Sequence, residues 1–257
     1  MRRLLPLILM LLGSCTVLED RTLCPCRLHI DLSGISVSGE VDLLLSLEGD
    51  NWHERRPCTL PGLESVTLSV PRGEVTLLAV CPSSPSFLSG DAGFEIPPGE
   101  DCPPLLTGAL QVDTRREEAF CQPEVHKNYC TLTLKLLSEG PAPFPFAITL
   151  RGSISGFTAK GEPREGRFLY TLEPFDRETH SASAGIPRQR DASLQMDIRF
   201  TDEVLRSFAL GEILARQGYD WTAEDLSDVE LELDFARTLL TLRTELWEES
   251  IAFEKVL

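Results

Sequence analysis

The chain has 257 residues, with 24 lysines and arginines against 40 aspartates and glutamates, a formal net charge of −16 at pH 7. That balance excludes nucleic acid and anionic membrane surfaces as partners, since both would repel it. The length suits one large β domain or two domains of ordinary size.

Residues 1–14 read as a signal peptide. Arg2 and Arg3 form a positive start, and Leu4 to Leu12 form an apolar segment too short to cross a bilayer. Leu12-Gly13-Ser14-Cys15 then closes the segment with two small residues and a cysteine, the pattern of a bacterial lipoprotein. Cys15 is therefore the expected lipidated residue. Residues 15–26 are the tether that follows it, and two acyl-type signals anchor stably where one chain binds only marginally. No later apolar run approaches the roughly 20 residues needed to span a membrane, so the lipid is the expected anchor.

Beyond the tether, apolar and polar residues alternate with period two. Leu28, Ile30 and Leu32, then Val66, Leu68 and Val70, then Leu132, Leu134 and Leu136, then Leu194, Met196, Ile198 and Phe200 each predict a half-buried antiparallel strand. Val41 to Leu47 and Val75 to Val80 are more continuously apolar, as strands covered on both faces require. The intervening turns are rich in Gly, Pro, Ser and Asp. Such short strands must bury their apolar faces on one another, which predicts a mainly β fold of two β-sandwich domains. The expected break is Ser138-Glu139-Gly140-Pro141-Ala142-Pro143, giving domains at residues 27–139 and 140–257.

The second domain offers strands at Phe146 to Leu150, Phe168 to Leu172, Leu194 to Phe200, Val229 to Phe235 and Leu239 to Leu246. One helix is predicted over Asp202 to Gln217. Thr201 or Asp202 can cap it, Val204, Leu205, Phe208, Ile213 and Leu214 recur at helical spacing, and Gly218 supplies a stop. Ile251 to Leu257 predicts a last strand in which Ile251 and Phe253 alternate with Ala252 and Glu254. Such a strand either pairs within its own domain or serves as an edge or exchangeable strand for a partner.

Apart from Cys15, all cysteines fall between Cys24 and Cys130. In an exported protein disulfides are the expected state. Cys81 with Cys102 would close the Pro-rich loop between them, and Cys121 with Cys130 would close a short one. Zinc is disfavoured, because Cys24-Pro25-Cys26 is one residue tighter than the usual ligand spacing.

No catalytic constellation emerges. His29, His53, His126 and His180 are far apart and read as surface residues. Gly152-Ser153-Ile154-Ser155-Gly156 has Ile154 where a nucleophile elbow needs serine. Asp228, Glu230, Glu232 and Asp234 fall on one face of a strand and read as a solvated sheet face rather than a calcium site. The expectation is a protein that is not an enzyme and carries no cofactor or metal. A surface glycan-binding lipoprotein is the alternative class. It needs exposed aromatics, and Trp52 in Asp50-Asn51-Trp52-His53 is the one loop candidate.

Two stretches carry a family resemblance. Leu12-Gly13-Ser14-Cys15-Thr16-Val17-Leu18-Glu19-Asp20-Arg21-Thr22-Leu23-Cys24-Pro25-Cys26 resembles the N-terminus of the Bacteroidales fimbrial anchor-subunit lipoproteins, in which the lipidated cysteine precedes an acidic pair and Cys-Pro. Phe208-Ala209-Leu210-Gly211-Glu212-Ile213-Leu214-Ala215-Arg216-Gln217-Gly218-Tyr219-Asp220-Trp221, with its acidic linker and final strand pair, is similar to the same family. The resemblance implies two transthyretin-like sandwiches, lipid-anchored in the outer membrane and exposed at the cell surface. It also implies that fimbrial shaft or accessory subunits are the partners, joined by strand addition, and that Glu19 and Asp20 form a surface-export signal. The chain departs from the family in being somewhat short and rich in cysteine.

Overall fold

A computed structural model of the chain describes residues 24–37, 39–81, 94–137, 146–158, 162–172, 180–200, 203–234, 239–243 and 248–252. They form two β-sandwiches. In the first, a three-stranded sheet of β4 (Ser65–Val70), β1 (Cys26–Asp31) and β8 (Glu118–Cys121), in that order, faces a five-stranded sheet. The latter runs β3 (Trp52–Leu60), β2 (Val41–Gly49), β5 (Glu74–Cys81), β7 (Leu106–Asp113) and β9 (His126–Lys127). Alternation decides what is inside: Cys26, Leu28 and Ile30 of β1 are fully buried against Leu43, Leu45 and Leu47 of β2.

The second sandwich pairs two larger sheets. One runs β13 (Ser181–Pro187), β10 (Tyr129–Leu136), β16 (Val229–Asp234), β17 (Leu239–Arg243) and β18 (Glu248–Ala252). The other runs β12 (Pro163–Thr171), β11 (Ala147–Phe157), β14 (Gln195–Phe200) and β15 (Glu203–Phe208), with the short β6 (Phe94–Glu95) also on β11. Leu132 and Leu134 of β10 pack with Ile148 and Leu150 of β11 and with Leu231 and Leu233 of β16.

β5 is buried on both faces, as its continuous apolar run requires. Leu77, Ala79 and Cys81 point into the first core, while Leu78 and Val80 belong to the second.

Three expectations are corrected. First, β10 lies before the Gly-Pro stretch yet pairs with β13 and β16, so the sandwiches divide ahead of β10 and not at residues 139 and 140. Second, the helix starts late. Residues 203–208 form β15, because a close hairpin pairing from Phe200 with Glu203 to Met196 with Phe208 satisfies their backbone groups on β14. Helix α1 is confined to Leu210–Arg216, and Gly218 follows it at φ +81° as the left-handed stop. Third, the alternating strands are not all antiparallel: β1 pairs β8, and β10 pairs β16, in parallel.

The two sandwiches repeat one topology. In each, the first strand lies between an antiparallel neighbour, β4 or β13, and a parallel one, β8 or β16. The next strand, β2 or β11, pairs with the strand that follows it and with β5 or β14. The repeat ends at β8. In the second sandwich β17 and β18 extend the sheet beyond β16, whereas among the described residues β8 has a strand on the β1 side only.

Candidate functional site

The edge of β8 that carries no strand among the described residues is the candidate site. Its inward residue Ala119 is buried, while Phe120 is 72% exposed, the most exposed of the large apolar side chains described. Cross-strand pairing places Phe120 beside His29 and His29 beside Thr67, a row across all three strands. The Phe120 and His29 rings stack at 4.7 Å with an interplanar angle of 13°, and His29 Nδ1 lies 3.1 Å from Thr67 Oγ1. Two residues back along both strands, Arg27 pairs with Glu118 at 3.5 Å. The row holds the Phe120 ring upright at the sheet margin.

An open groove of about 850 Å³ borders this margin, lined by Cys24, Arg27, Ser69, Arg72, Glu117 and Glu118 among others. Arg72 donates from Nε to the Cys24 carbonyl at 2.8 Å and from Nη1 to the Arg115 carbonyl at 3.2 Å. It thereby fixes the point where the tether meets the first sandwich.

Chemically this arrangement offers backbone hydrogen bonds and an apolar anchor, not a reactive centre. An added strand gains about 0.5–1.5 kcal/mol per hydrogen bond, and covering an exposed phenylalanine contributes roughly 1.5–3 kcal/mol. An uncovered edge carrying a large apolar side chain is a liability in a solitary protein and a recognition surface in an assembling one.

The sequence-predicted site residues fall as follows. Cys15 and Phe253 lie outside the described residues. Ile251 sits in β18, paired with Leu240 of β17 at the margin of its sheet. The two cysteine pairings are not formed: all seven described cysteines are free thiols. Cys81 and Cys121 pack in or against the first core, whereas Cys102 and Cys130 are buried in the second. Each proposed partner is thus shut away in the other sandwich. Burial pushes the Cys121 thiol up to about 11 and the Cys130 thiol up to about 12.

The remaining candidates are structural. Among the described residues no group of three His, Cys, Asp or Glu side chains is placed to hold a metal. Asp228 accepts from Lys127 Nζ at 2.7 Å and from the Thr131 amide at 2.6 Å, bracing β10. Glu230 pairs with Lys135 across β16 and β10. Trp52 opens β3 and packs partly buried against the first core instead of standing out in a loop. Phe120 was not singled out by the sequence, where Ala119-Phe120-Cys121 looks like any short strand; its exposure follows from β8 being an edge.

No protein-family model matches the sequence, and no curated protein matches it. Solved structures do match. A candidate adhesin of Bacteroides ovatus is 14% identical with a TM-score of 0.64, covering 93% of this chain and 99% of that one. A candidate polysaccharide-binding protein of Bacteroides thetaiotaomicron is 11% identical with a TM-score of 0.63, covering 90% of this chain and 100% of that one. The fimbrial anchor protein Mfa2 of Porphyromonas gingivalis is 10% identical with a TM-score of 0.63, covering 88% and 99%. At such identities the likeness is one of fold: this chain is built on the same two-sandwich architecture as these Bacteroidales adhesin-like proteins and the fimbrial anchor, over nearly their whole lengths.

Proposed function

We propose that the chain is an outer-membrane surface lipoprotein that serves as a fimbrial anchor or accessory subunit in adhesion, joining other subunits by β-strand addition. The observation that carries this reading is the interrupted repeat: among the described residues β8 ends its sheet at the position where β16 receives β17, and it presents an exposed Phe120 there. A partner strand laid antiparallel on β8 completes in the first sandwich the arrangement the second contains within itself.

The anchor end fits. Cys15, carrying the lipid, stands only eleven residues before the start of β1 at Cys26. An extended tether of that length reaches at most about 40 Å, which keeps the first sandwich close to the membrane and directs the second outward. Residues 251–257, which include Ile251 and Phe253, are the edge or exchangeable strand this protein offers in turn. The fimbrial anchor of the same architecture supports the assignment.

Fatty-acid labelling and co-purification test it. Label should enter the wild-type chain and be lost in Cys15→Ala. Fimbrial subunits should co-purify with the wild-type chain from the outer membrane, and lose that association in Phe120→Glu. Deleting residues 251–257 should leave a folded protein that no longer captures the subunit on its other side. Unchanged labelling of Cys15→Ala refutes the anchor, and unchanged co-purification with both other variants refutes strand addition.

A further inference from the structure

A cleft of about 290 Å³ opens at one end of the first sandwich, between the Asp50-Asn51 turn that joins β2 to β3 and the Pro71 to Gly73 link that joins β4 to β5. Gly49, Asp50, Asn51, Trp52, Arg72 and Glu74 are among the residues that line it. We propose that this cleft binds a neutral hexose unit of a glycan, the sugar ring lying on the Trp52 indole and its hydroxyls bonding to Asp50, Asn51 and Arg72.

The cleft follows from the strands beneath it. Gly49 continues the inward row of Leu43, Leu45 and Leu47 on β2 and pairs across the hairpin with Trp52, the first residue of β3. Trp52 packs partly buried against the first core, which holds its ring in place, and the glycine opposite has no side chain to cover it. A Cβ at Gly49 would stand 4.0 Å from Trp52 Cε3 and 3.7 Å from the Glu74 carbonyl, ordinary contacts on a backbone outside the left-handed region. The facing wall is fixed as well. Buried Thr114 donates from its amide to the Gly73 carbonyl at 2.8 Å and from Oγ1 to the Pro71 carbonyl at 2.8 Å. Arg72 is held by the carbonyls of Cys24 and Arg115, yet its Nη2 is buried without a hydrogen-bond partner among the described residues. Asp50 and Asn51 are exposed, and among the described residues neither they nor the Trp52 N–H has a hydrogen-bond or ion-pair partner.

These groups select the ligand. The chain carries −16 and the Asp50 carboxylate stands unpaired in the lining, which disfavours acidic sugars. A wholly apolar ligand would strand the carboxylate, amide and guanidinium without partners. β2 and β5 both lie inside their sheet, so a peptide cannot add to them as a strand. Sugar hydroxyls donate and accept, and so meet the Asp50 acceptor, the Asn51 amide and the Arg72 and Trp52 donors together. The C–H face of the ring covers the indole. The volume lies at the small end of ligand pockets and suits a single ring.

Titration calorimetry and tryptophan fluorescence on the full chain test this with maltohexaose, mannohexaose and galactohexaose, and with polygalacturonate as the acidic control. At least one neutral hexasaccharide should bind with a Kd on the order of 1 mM or tighter and shift the tryptophan emission, while polygalacturonate should not bind. Asp50→Ala and Asn51→Ala, both on an exposed turn, should each weaken binding about tenfold without lowering the melting temperature. Gly49→Leu, which the backbone accommodates, should fill the cleft and abolish binding; if that variant melts early, the Asp50→Ala/Asn51→Ala double variant carries the same test. Trp52→Phe should remove the emission shift. Absence of binding by all three neutral sugars, or polygalacturonate binding as tightly as the best of them, overturns the proposal. So does unchanged affinity in a folded Gly49→Leu or in the double variant, or an emission shift that persists in Trp52→Phe.

Discussion

Arg188 Nη1 donates to the Trp221 carbonyl at 2.5 Å, and the same guanidinium also binds the carbonyls of Ala223 and Glu224 and the Asn128 side chain. Residues 219–228 contain no helix or strand, so their carbonyls lack regular partners. Arg188 supplies those partners and fastens the segment to residues 127–128, where the chain passes between the sandwiches. Burial depresses its pKa, yet it remains a cation. Arg188→Met should cost about 3 kcal/mol in urea unfolding, because several half-buried acceptors lose their donor together. Arg188→Lys should recover little, since an ammonium cannot reach divergent carbonyls as a planar fork does.

Asp197 makes the fold sensitive to acid. Burial alone would raise its pKa, but hydrogen bonds from Arg151 and Ser207, with the charges of Arg151 and Arg199, hold it below the usual carboxylate value. A depressed folded-state pKa contributes stability above the unfolded value near 4 that disappears as pH falls through the folded value. Asp197→Asn should therefore be less stable than wild type by about 1–3 kcal/mol at pH 7. The gap should narrow below about pH 4, as followed by thermal melts across pH. A gap constant down to pH 2 would contradict the role given to this carboxylate.

Gly185 must lack a side chain. A Cβ there would collide with the carbonyl of Cys102, a backbone atom that cannot swing aside. The Gly185 amide also donates to Asp101 Oδ1 at 2.7 Å, so the two segments are held in direct contact. Gly185→Ala should lower stability by about 1–3 kcal/mol, measured by denaturant midpoint. Gly39→Ala meets no atom within 4 Å and strains only its positive φ, so it should cost less.

Thiol chemistry reports on the two cores. Cys24 is exposed and Cys121 half-buried, whereas Cys26, Cys58, Cys81, Cys102 and Cys130 are buried. Maleimide mapped by mass spectrometry should label Cys24 rapidly and Cys121 slowly in the folded protein, because burial keeps Cys121 protonated. The five buried thiols should react only after unfolding. A disulfide linking Cys81 to Cys102 would contradict their placement in different cores.

Much of the architecture was legible because burial leaves a period in the sequence. Cys26, Leu28 and Ile30 face the core while Arg27 and Asp31 are exposed, and β4 alternates in the same way. The double burial of β5 was equally readable from its unbroken apolar run. The strand β15 was not, because Val204, Leu205 and Phe208 satisfy helical spacing and the pairing with β14 that overrides it is tertiary. The partnership of β1 with β8 was hidden for another reason: Arg27 and Glu118 are 91 residues apart, and no local pattern encodes so distant a pairing. The Phe120 edge depends on such a pairing, so it emerged only with the fold. The cysteines misled because their count and the exported setting speak for disulfides, while pairing depends on which core each thiol enters.

The most direct test of strand addition is photo-crosslinking at the β8 edge in cells that assemble fimbriae. A benzophenone amino acid replaces Phe120 in one strain and Leu63, which is 38% exposed and outside the strands, in another. If β8 receives a partner strand, irradiation joins the position-120 probe to a fimbrial subunit through its terminal strand, while the position-63 probe gives no such adduct. Fimbriae assembled normally with no adduct at position 120, or with equal adducts at both positions, would contradict strand addition.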